Sequence, residues 1–410
     1  MVCTTLLLVL SWSYVPLVVL CWPTPSPLPL LPRLYNATSN LLQRTSRVLN
    51  FFPVPVSEEC LADDGRRSGT CMNTYECRIQ NGQSHGPCAL GFGVCCVFTA
   101  TCGDEIVNNI TYFMSPDFPS LTRANQTCSV KVKKMDAEIS QIRLDFVHFN
   151  LGQPNRQTGV CDTDVFYMLG GQGRSMSICG QNSGQHVYYE VDNNSDTVEL
   201  VMNLTAANLF RLWEVRISQI EFGNRVPAGC SQFYQGKSGI IQTMNYAING
   251  RHLANQDYNI CVRSEENVCS IVYEPCDDNS FKIGPSILSN DIGTGGMSPA
   301  IFAGLVVDPV GSGAGPLPLS DSMAAAAQGC NDRVIMPCDS EDFLTPQGGP
   351  GICDLLHCGD TLCTPGVSPC RIESSIKPFN IKIQFGPGLR AENPEDNLGM
   401  CLKYEQVPCS

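Results

Sequence analysis

Histidine is the residue type best suited to acid–base or metal chemistry, and this chain has five. They are His85, His148, His186, His252 and His357. None lies in a His-Glu-x-x-His sequence, and the chain has no Gly-Asp-Ser-Gly-Gly sequence. A serine nucleophile needs a base beside it, and a metalloprotease needs paired histidines on one metal. The sequence therefore predicts a protein that is not an enzyme, with histidines that are surface or packing residues.

The cysteines offer a second kind of chemistry, because they bind metals as thiolates or pair as disulfides. Cys353, Cys358, Cys363 and Cys370 lie close enough in sequence for a tetrahedral zinc site. However, 24 cysteines in 410 residues is far above cytosolic usage and is typical of an oxidising compartment. We therefore predict that these four form disulfides rather than a zinc site.

The N-terminal region indicates how the chain reaches that compartment. Residues 1–22 are apolar and uncharged, which predicts a signal peptide. A retained membrane anchor is the alternative, because about 20 apolar residues can span a bilayer. Residues 23–59 are rich in proline and predict a linker. We expect a secreted, extracellular protein with no membrane span after signal removal.

Beyond residue 22 the chain has an even set of 22 cysteines, which allows complete pairing. Six lie between Cys60 and Cys96, four between Cys102 and Cys179, and twelve between Cys230 and Cys409. Each block has an even number of cysteines, so all of its disulfides can form within the block. The first block has few large apolar side chains, so residues 60–97 need disulfides in place of a core.

The charge of the chain argues against one class of partner. There are 39 acidic and 26 basic residues, a net charge of −13, and no run of Lys or Arg exceeds two residues. Nucleic acid binding needs a basic surface for the phosphates. We therefore expect no nucleic acid partner.

Five Asn-x-Ser/Thr sequences predict N-linked glycans, which agrees with secretion. They begin at Asn36, Asn109, Asn125, Asn193 and Asn203. Four of the five fall within one stretch of the chain, so glycans there would cover part of a single domain.

Apolar residues recur at every second position through much of residues 102–222, which predicts half-buried antiparallel strands. The clearest run is Trp213-Glu-Val-Arg-Ile217, and Phe379-Asn-Ile-Lys-Ile383 repeats the pattern later in the chain. Clusters of Gly, Asn and Asp separate the strands at the spacing of a sandwich. We predict an all-β fold with little helix.

Residues 102–222 resemble a CUB domain. The residues that carry the resemblance are Cys102, the run Met114–Pro119, Cys128, the strand Ile142–Phe149, the run Cys161-Asp-Thr-Asp164, and Cys179-Gly180. The resemblance implies a jelly-roll-like β-sandwich. It also implies disulfides between Cys102 and Cys128 and between Cys161 and Cys179.

Many CUB domains hold one calcium ion with a Glu and two Asp, and this resemblance carries over only in part. Asp164 matches the Asp that follows the third cysteine, but Gly152 stands where the Glu would be, and residues 203–205 lack the other Asp. Calcium requires several oxygen ligands. We therefore expect no cofactor. Calcium at an incomplete site that contains Asp164 is the alternative, and an ordinary turn is the other interpretation of this residue.

The cysteines of residues 60–97 resemble an arthropod clip module. The first two gaps, of ten and five residues, and the adjacent pair Cys95-Cys96 carry this resemblance, and a generic disulfide-rich knot is the alternative. A clip implies three disulfides, which join Cys60 to Cys95, Cys71 to Cys88 and Cys77 to Cys96. Clips usually precede a trypsin-like protease, and no protease sequence is recognisable downstream.

Residues 229–410 resemble a divergent second CUB domain. Cys230 and Cys261 place a cysteine pair near its start, and Asp396–Tyr404 resembles the last CUB turn and strand. Low-complexity sequence from about 284 to 328 predicts a long inserted loop. The combination resembles an arthropod family of secreted CUB-domain-containing proteins.

These observations favour a secreted, non-catalytic molecule that uses CUB domains as a scaffold to recognise an extracellular protein, of unknown identity. Loops on a rigid sandwich commonly carry such a function. The alternative is an accessory or inactive component of an extracellular protease cascade, because clip-like cysteines usually accompany proteolysis. An enzyme of an unrecognised type would need a perturbed acid or nucleophile in a deep pocket.

Overall fold

The alternating apolar positions form strands, and the all-β prediction is confirmed. The computed structural model describes residues 59–409 apart from 124, 173–175, 193, 248–249, 285–329, 338–355, 364–367, 389 and 392. These described residues form twenty-two strands and one α-helix, and they belong to one compact unit, Val54–Ser410. None of their helices is long and apolar enough to cross a membrane. Three predicted segments lie outside the described residues: the signal peptide, nearly all of the linker, and residues 285–328 of the inserted loop.

The N-terminal module, residues 59–100, is a small antiparallel sheet with one short helix. Its elements are β1 (Glu59–Leu61), β2 (Ser68–Met72), α1 (Thr74–Ile79), β3 (Gln83–Cys88) and β4 (Gly93–Ala100). The helix begins after Asn73, whose side chain accepts a hydrogen bond from the Tyr75 N–H at 2.8 Å, as an N-cap does. The disulfides join Cys60 to Cys95, Cys71 to Cys88 and Cys77 to Cys96. The buried sulfur atoms take the place of a larger apolar core.

The first sandwich packs two sheets around aromatic side chains. Its strands are β5 (Glu105–Ile106), β6 (Ile110–Met114), β7 (Cys128–Lys133), β8 (Ile139–Asn150), β9 (Asp164–Leu169), β10 (His186–Glu190), β11 (Thr197–Leu204) and β12 (Leu212–Glu221). One sheet contains β6-β12-β8-β10 and the other has the order β5-β7-β11-β9. The rings of Phe146 and Phe149 lie 4.5 Å apart in the core, beside Phe166 and the completely buried Trp213. Disulfides join Cys102 to Cys128 and Cys161 to Cys179.

The N-terminal module continues a sheet of the first sandwich. β4 pairs in parallel with β6, which produces an eight-stranded sheet with the path β1-β2-β4-β6-β12-β8-β10 and β3 on β4. Arg67 Nε of the module donates to Glu214 Oε1 on β12 at 2.7 Å. Glu214 is a polar position of the alternating run Trp213–Ile217, yet it is only 4% exposed. The module covers that face of the sheet.

The second sandwich follows from residue 230 and has two more sheets. Its strands are β13 (Cys230–Tyr234), β14 (Ser238–Gln242), β15 (Gln256–Val262), β16 (Val268–Pro275), β17 (Phe281–Lys282), β18 (Arg333–Ile335), β19 (Leu356–His357), β20 (Ile372–Ser374), β21 (Phe379–Phe385) and β22 (Gly399–Pro408). The sheet orders are β13-β15-β21-β18-β19 and β14-β22-β16-β20, with β17 also on β22. Buried residues of both sandwiches form one continuous apolar cluster.

Disulfides tie the second sandwich together across large sequence separations. The bonded pairs are Cys230–Cys261, Cys269–Cys409, Cys276–Cys401, Cys330–Cys358 and Cys363–Cys370. Of the four cysteines considered for zinc, Cys358, Cys363 and Cys370 are thus in disulfides, and Cys353 lies outside the described residues.

Candidate functional site

Asp164, the candidate calcium ligand, begins β9 and is completely buried at one end of the first sandwich. Its carboxylate accepts two hydrogen bonds from the Arg211 guanidinium, from Nε to Oδ2 at 2.6 Å and from Nη2 to Oδ1 at 2.8 Å. Both side chains are 0% exposed. Two parallel charge-assisted bonds form the most directional Arg–carboxylate pair. The interpretation of Asp164 as an ordinary turn residue is therefore wrong.

Neighbouring backbone groups complete this ion pair. The Gly152 N–H donates to Asp164 Oδ2 at 2.8 Å, and Arg211 donates to the carbonyl oxygens of Ala206 at 2.6 Å and Leu209 at 3.2 Å. Burial alone would raise the pKa of Asp164. The hydrogen bonds and charge of Arg211, together with the Gly152 N–H, outweigh burial and hold that pKa below its ordinary value. Asp164 is therefore ionised at neutral pH.

These residues do not fit a calcium ion. Calcium takes about six to eight oxygen ligands, but both oxygens of the single carboxylate already accept hydrogen bonds from Arg211. A side chain at position 152 would crowd the ion pair, because a Cβ there would lie 2.9 Å from Asp164 Oδ2 and from Thr163 Oγ1. Within the described ranges, no group of three or more His, Cys, Asp or Glu side chains is placed to hold a metal.

Exposed apolar side chains surround the chain segments that hold the ion pair. The backbones of Arg211 and Thr122 exchange two hydrogen bonds, of 3.0 and 2.9 Å, and so bring the two loops together. Arg123 lies over the ring of Phe210, with 4.1 Å from its guanidinium carbon to the ring centroid. We name the exposed side chains of these loops the loop surface: Leu121, Arg123, Leu209 and Phe210.

A buried polar contact joins the two sandwiches. The side-chain oxygen of Asn245 accepts a hydrogen bond from the Gln181 N–H at 2.8 Å, and the Asn245 N–H donates to Asn182 Oδ1 at 2.7 Å. Its amide nitrogen donates to Gln153 Oε1 at 3.2 Å. Asn245 is 0% exposed. Because buried polar groups are costly to separate from their partners, these bonds hold the sandwiches in one relative position.

The loop of residues 151–163 strengthens this docking. Its Gly159 carbonyl accepts from the Ala254 N–H, and its Gln157 carbonyl accepts from the Ala391 N–H, each at 2.9 Å. The same loop leads directly into Asp164. The end of the first sandwich that carries the ion pair is therefore braced against the second sandwich.

His186 lies in the interface between the sandwiches. Its Nε2 accepts a hydrogen bond from the Phe233 N–H at 2.9 Å, which requires a neutral ring with the proton on Nδ1. The ring of Tyr234 lies 4.9 Å away. Burial, followed by the positive charge of Arg143, lowers the pKa of His186 to about 4, although Asp145 opposes this shift.

The other histidines occupy several environments. His252 is buried, and its Nε2 lies 3.4 Å from Asp332 and 3.2 Å from Asn397 Oδ1. Burial, followed by the charge of Arg251, lowers the pKa of His252 to about 3. His357 is also buried, whereas the side chains of His85 and His148 are 27% and 52% exposed.

Sequence reasoning missed one motif match, Gly82-Gln-Ser-His-Gly86, which has the Gly-x-Ser-x-Gly form. In hydrolases that form places a nucleophilic serine on a tight strand-to-helix turn. Here Ser84 lies inside β3, opposite Cys96 of β4, and His85 is 3.3 Å from Asp63. The strand setting lacks the turn that exposes a nucleophile, so the match does not indicate a hydrolase site.

The predicted glycosylation sites differ in accessibility. Asn125 is exposed, whereas Asn109 and Asn203 are half-buried. The Asn203 side chain accepts a hydrogen bond from Thr127 Oγ1 at 3.3 Å. Asn36 and Asn193 lie outside the described residues. Glycosylation at the five positions stays a prediction, and Asn125 is the most accessible of the described three.

Comparisons with known proteins bear on both sandwiches. A family model described as the CUB domain matches residues 102–214, and one described as the animal CUB domain matches residues 227–407. No curated protein matches the chain.

Three solved structures show low sequence identity to the chain. The CUB1-EGF-CUB2 domains of rat MASP-1 are 12% identical, with 75% of this chain and 99% of that chain covered and a TM-score of 0.23. The corresponding human MASP-1/3 structure is 13% identical, with 73% and 100% covered and a TM-score of 0.23. The MASP-1 CUB2 domain bound to Ca²⁺ is 16% identical, with 28% and 98% covered and a TM-score of 0.24. From the two family matches, this chain contains two CUB domains, which follow a disulfide-rich N-terminal region.

Proposed function

We propose that the protein is a secreted, non-catalytic recognition molecule that binds an extracellular protein through its CUB domains. Ten disulfides within the described ranges favour an oxidising compartment. We place the three modules at residues 60–97, 102–222 and 229–410. The N-terminal module continues a sheet of the first sandwich, and the two sandwiches share a core, so the modules act as one scaffold.

The loop surface is the observation that carries this proposal. Leu121 is 52% exposed and Phe210 is 50% exposed, and they lie on loops held together by the buried Arg211. Isolated exposed apolar residues are ordinary, but several on adjoining loops indicate an interaction site. Aromatic and arginine side chains are enriched where binding energy concentrates, and a rigid support lowers the entropy lost on binding.

The loop surface also indicates the chemistry of the partner. Arg123 places a positive charge beside the Phe210 ring. A partner that presents a carboxylate beside an apolar side chain would pair with the Arg123 guanidinium and pack against the Phe210 ring. This mode of recognition differs from that of a CUB domain whose acidic calcium loop receives a lysine, because Asp164 is buried and paired with Arg211.

The test is binding of the full secreted chain to a panel of purified extracellular ectodomains by biolayer interferometry. We expect saturable binding to at least one ectodomain, and Phe210→Ser should weaken it at least about tenfold, as expected of an interface hot spot. The matched control is Ile240→Ser, because Ile240 is 53% exposed on β14, in the second sandwich. Absence of saturable binding, or equal weakening by both substitutions, would contradict the proposal.

A second candidate function is an accessory or inactive role in an extracellular protease cascade. The disulfides Cys60–Cys95, Cys71–Cys88 and Cys77–Cys96, in the order implied by the clip resemblance, favour it. Adding the full chain to a triggered extracellular cascade, with a chromogenic trypsin substrate as readout, separates the two functions. A dose-dependent change in substrate cleavage supports the cascade role, whereas saturable ectodomain binding without such a change supports the first proposal.

A further inference from the structure

We propose that Arg211 takes the structural place of a calcium ion in the first CUB domain, so that the loops at this end are ordered without calcium. This inference goes beyond the proposed function, and it does not depend on which protein binds the loop surface. It begins from the mismatch between the residues around Asp164 and the ligands that calcium requires.

Arg211 contacts the same kinds of group that calcium would. Calcium in proteins is held by carboxylates and backbone carbonyl oxygens. The Arg211 guanidinium donates to the Asp164 carboxylate and to the carbonyl oxygens of Ala206 and Leu209. A single side-chain cation thus joins the start of β9 to the loop that precedes β12.

Arg211 also secures a third segment, through its backbone rather than its guanidinium. The two hydrogen bonds between Arg211 and Thr122 tie the loop before β7 to the same point. The arrangement therefore crosslinks three parts of the chain that are distant in sequence. A bound ion could provide such a crosslink only when it is present, whereas Arg211 is covalently part of the chain.

The pair is closed to exchange with calcium from solution. Both side chains are 0% exposed, and the Gly152 N–H donates to the carboxylate at 2.8 Å. Calcium entry would leave the Arg211 charge buried without its partner, which is strongly unfavourable. Extracellular calcium should therefore leave this end of the domain unchanged.

The test is thermal melting of the full chain in 10 mM calcium and in EGTA. We expect the wild type to melt within about 1 °C in the two buffers, because in the part of the chain that the structure describes no group of acidic side chains is placed to hold calcium. Arg211→Met keeps the aliphatic stem but removes the cation, and we expect it to melt earlier in EGTA. Calcium should not restore the stability of this variant, because Asp164 supplies a single carboxylate and calcium takes about six to eight oxygen ligands.

The matched control is Arg263→Met, because the Arg263 side chain is 51% exposed and pairs with Glu265 at the surface. Exposed ion pairs contribute little to folding stability, so this variant should melt close to the wild type, with no effect of calcium. If Arg211→Met is not secreted, Arg211→Lys, which keeps the charge but loses the paired bonds, should melt earlier and stay insensitive to calcium. A wild type stabilised by calcium, or an Arg211→Met protein that melts with the wild type in EGTA, would overturn the proposal.

Discussion

The contact between His186 and the Phe233 N–H predicts that acid loosens the docking of the two CUB domains. The imidazole accepts this hydrogen bond only when it is neutral. Burial and then the charge of Arg143 lower the pKa of His186 to about 4 in the folded protein, whereas an unfolded histidine titrates near 6.5. The unfolded chain therefore binds the proton more readily. The stability linked to His186 is fully present above pH 6.5 and is lost as the pH falls towards 4.

The magnitude follows from the two pKa values. At about 1.4 kcal/mol per pH unit, the difference between 6.5 and about 4 amounts to about 3 kcal/mol. Other groups add to the acid sensitivity of the wild type, among them His252, whose pKa is lowered to about 3. We therefore compare how steeply the free energy of unfolding depends on pH in the wild type and in a variant without the His186 ring.

The assay is urea unfolding at a series of pH values, followed by the fluorescence of Trp213, which is buried in the core of the first sandwich. We expect His186→Gln to retain an acceptor for the Phe233 N–H without titrating. Between pH 6 and 4.5, its free energy of unfolding should fall less steeply with decreasing pH than that of the wild type. The difference between the two slopes should approach about 1.4 kcal/mol per pH unit.

Val226→Ala is the matched control, because Val226 is buried in an apolar cluster that Phe233, the partner of His186, packs against, and it does not titrate. It should lower the free energy of unfolding by about 1–2 kcal/mol at every pH and keep the wild-type slope. Equal pH slopes in His186→Gln and the wild type would refute the assignment of acid sensitivity to this contact.

Three further substitutions test the packing of the modules. Glu214→Gln leaves its arginine partner in the N-terminal module without a charged acceptor, and we expect thermal melting to show a loss of about 1–3 kcal/mol. Gly180→Ala should destabilise more than Gly184→Ala in urea unfolding: both glycines have positive φ, but only at position 180 would a Cβ meet the Asn245 amide oxygen, at 2.1 Å. Cys128→Ser opens a disulfide with a sequence separation of 26, which should cost about 3 kcal/mol and expose one reactive thiol to maleimide labelling.

Each of these predictions has a contrary outcome. An unchanged melting temperature in Glu214→Gln would mean that the ion pair does not hold the N-terminal module in place. Equal stabilities of Gly180→Ala and Gly184→Ala would argue against tight docking at Asn245. A Cys128→Ser protein with wild-type stability and no new thiol would count against the bridge.

The regular parts of the fold could be predicted from the sequence. The alternation in Trp213–Ile217 and Phe379–Ile383 predicts strands, and both runs lie in strands, β12 and β21. Side chains of a strand point alternately to its two faces, so such a pattern reports a local property of the backbone. The two CUB domains were recognisable for the same reason, since their motifs are short runs with characteristic spacing.

The candidate site could be predicted only in part. Asp164 stands out in the sequence because it follows Cys161 at the position of a calcium ligand. Its actual partner, Arg211, carries no comparable signal, because an arginine before a strand is ordinary in any β-rich chain. The absence of two calcium-binding carboxylates is the sequence feature that could have prompted a search for an arginine or lysine partner of Asp164, and so for Arg211.

The all-β class, the CUB character of residues 102–214 and 227–407 and the disulfide-rich nature of the region before them follow from the amino-acid sequence alone. The roles of the charged and titratable residues, in contrast, depend on the folded arrangement of the chain. Arg211 meets Asp164 across 47 residues, Arg67 meets Glu214 across 147, and His186 meets Phe233 across 47. Such pairs form because sheets and domains bring distant segments together, and burial then determines their charge and strength. That information lies in the packing of the whole chain and not in any local run of residues.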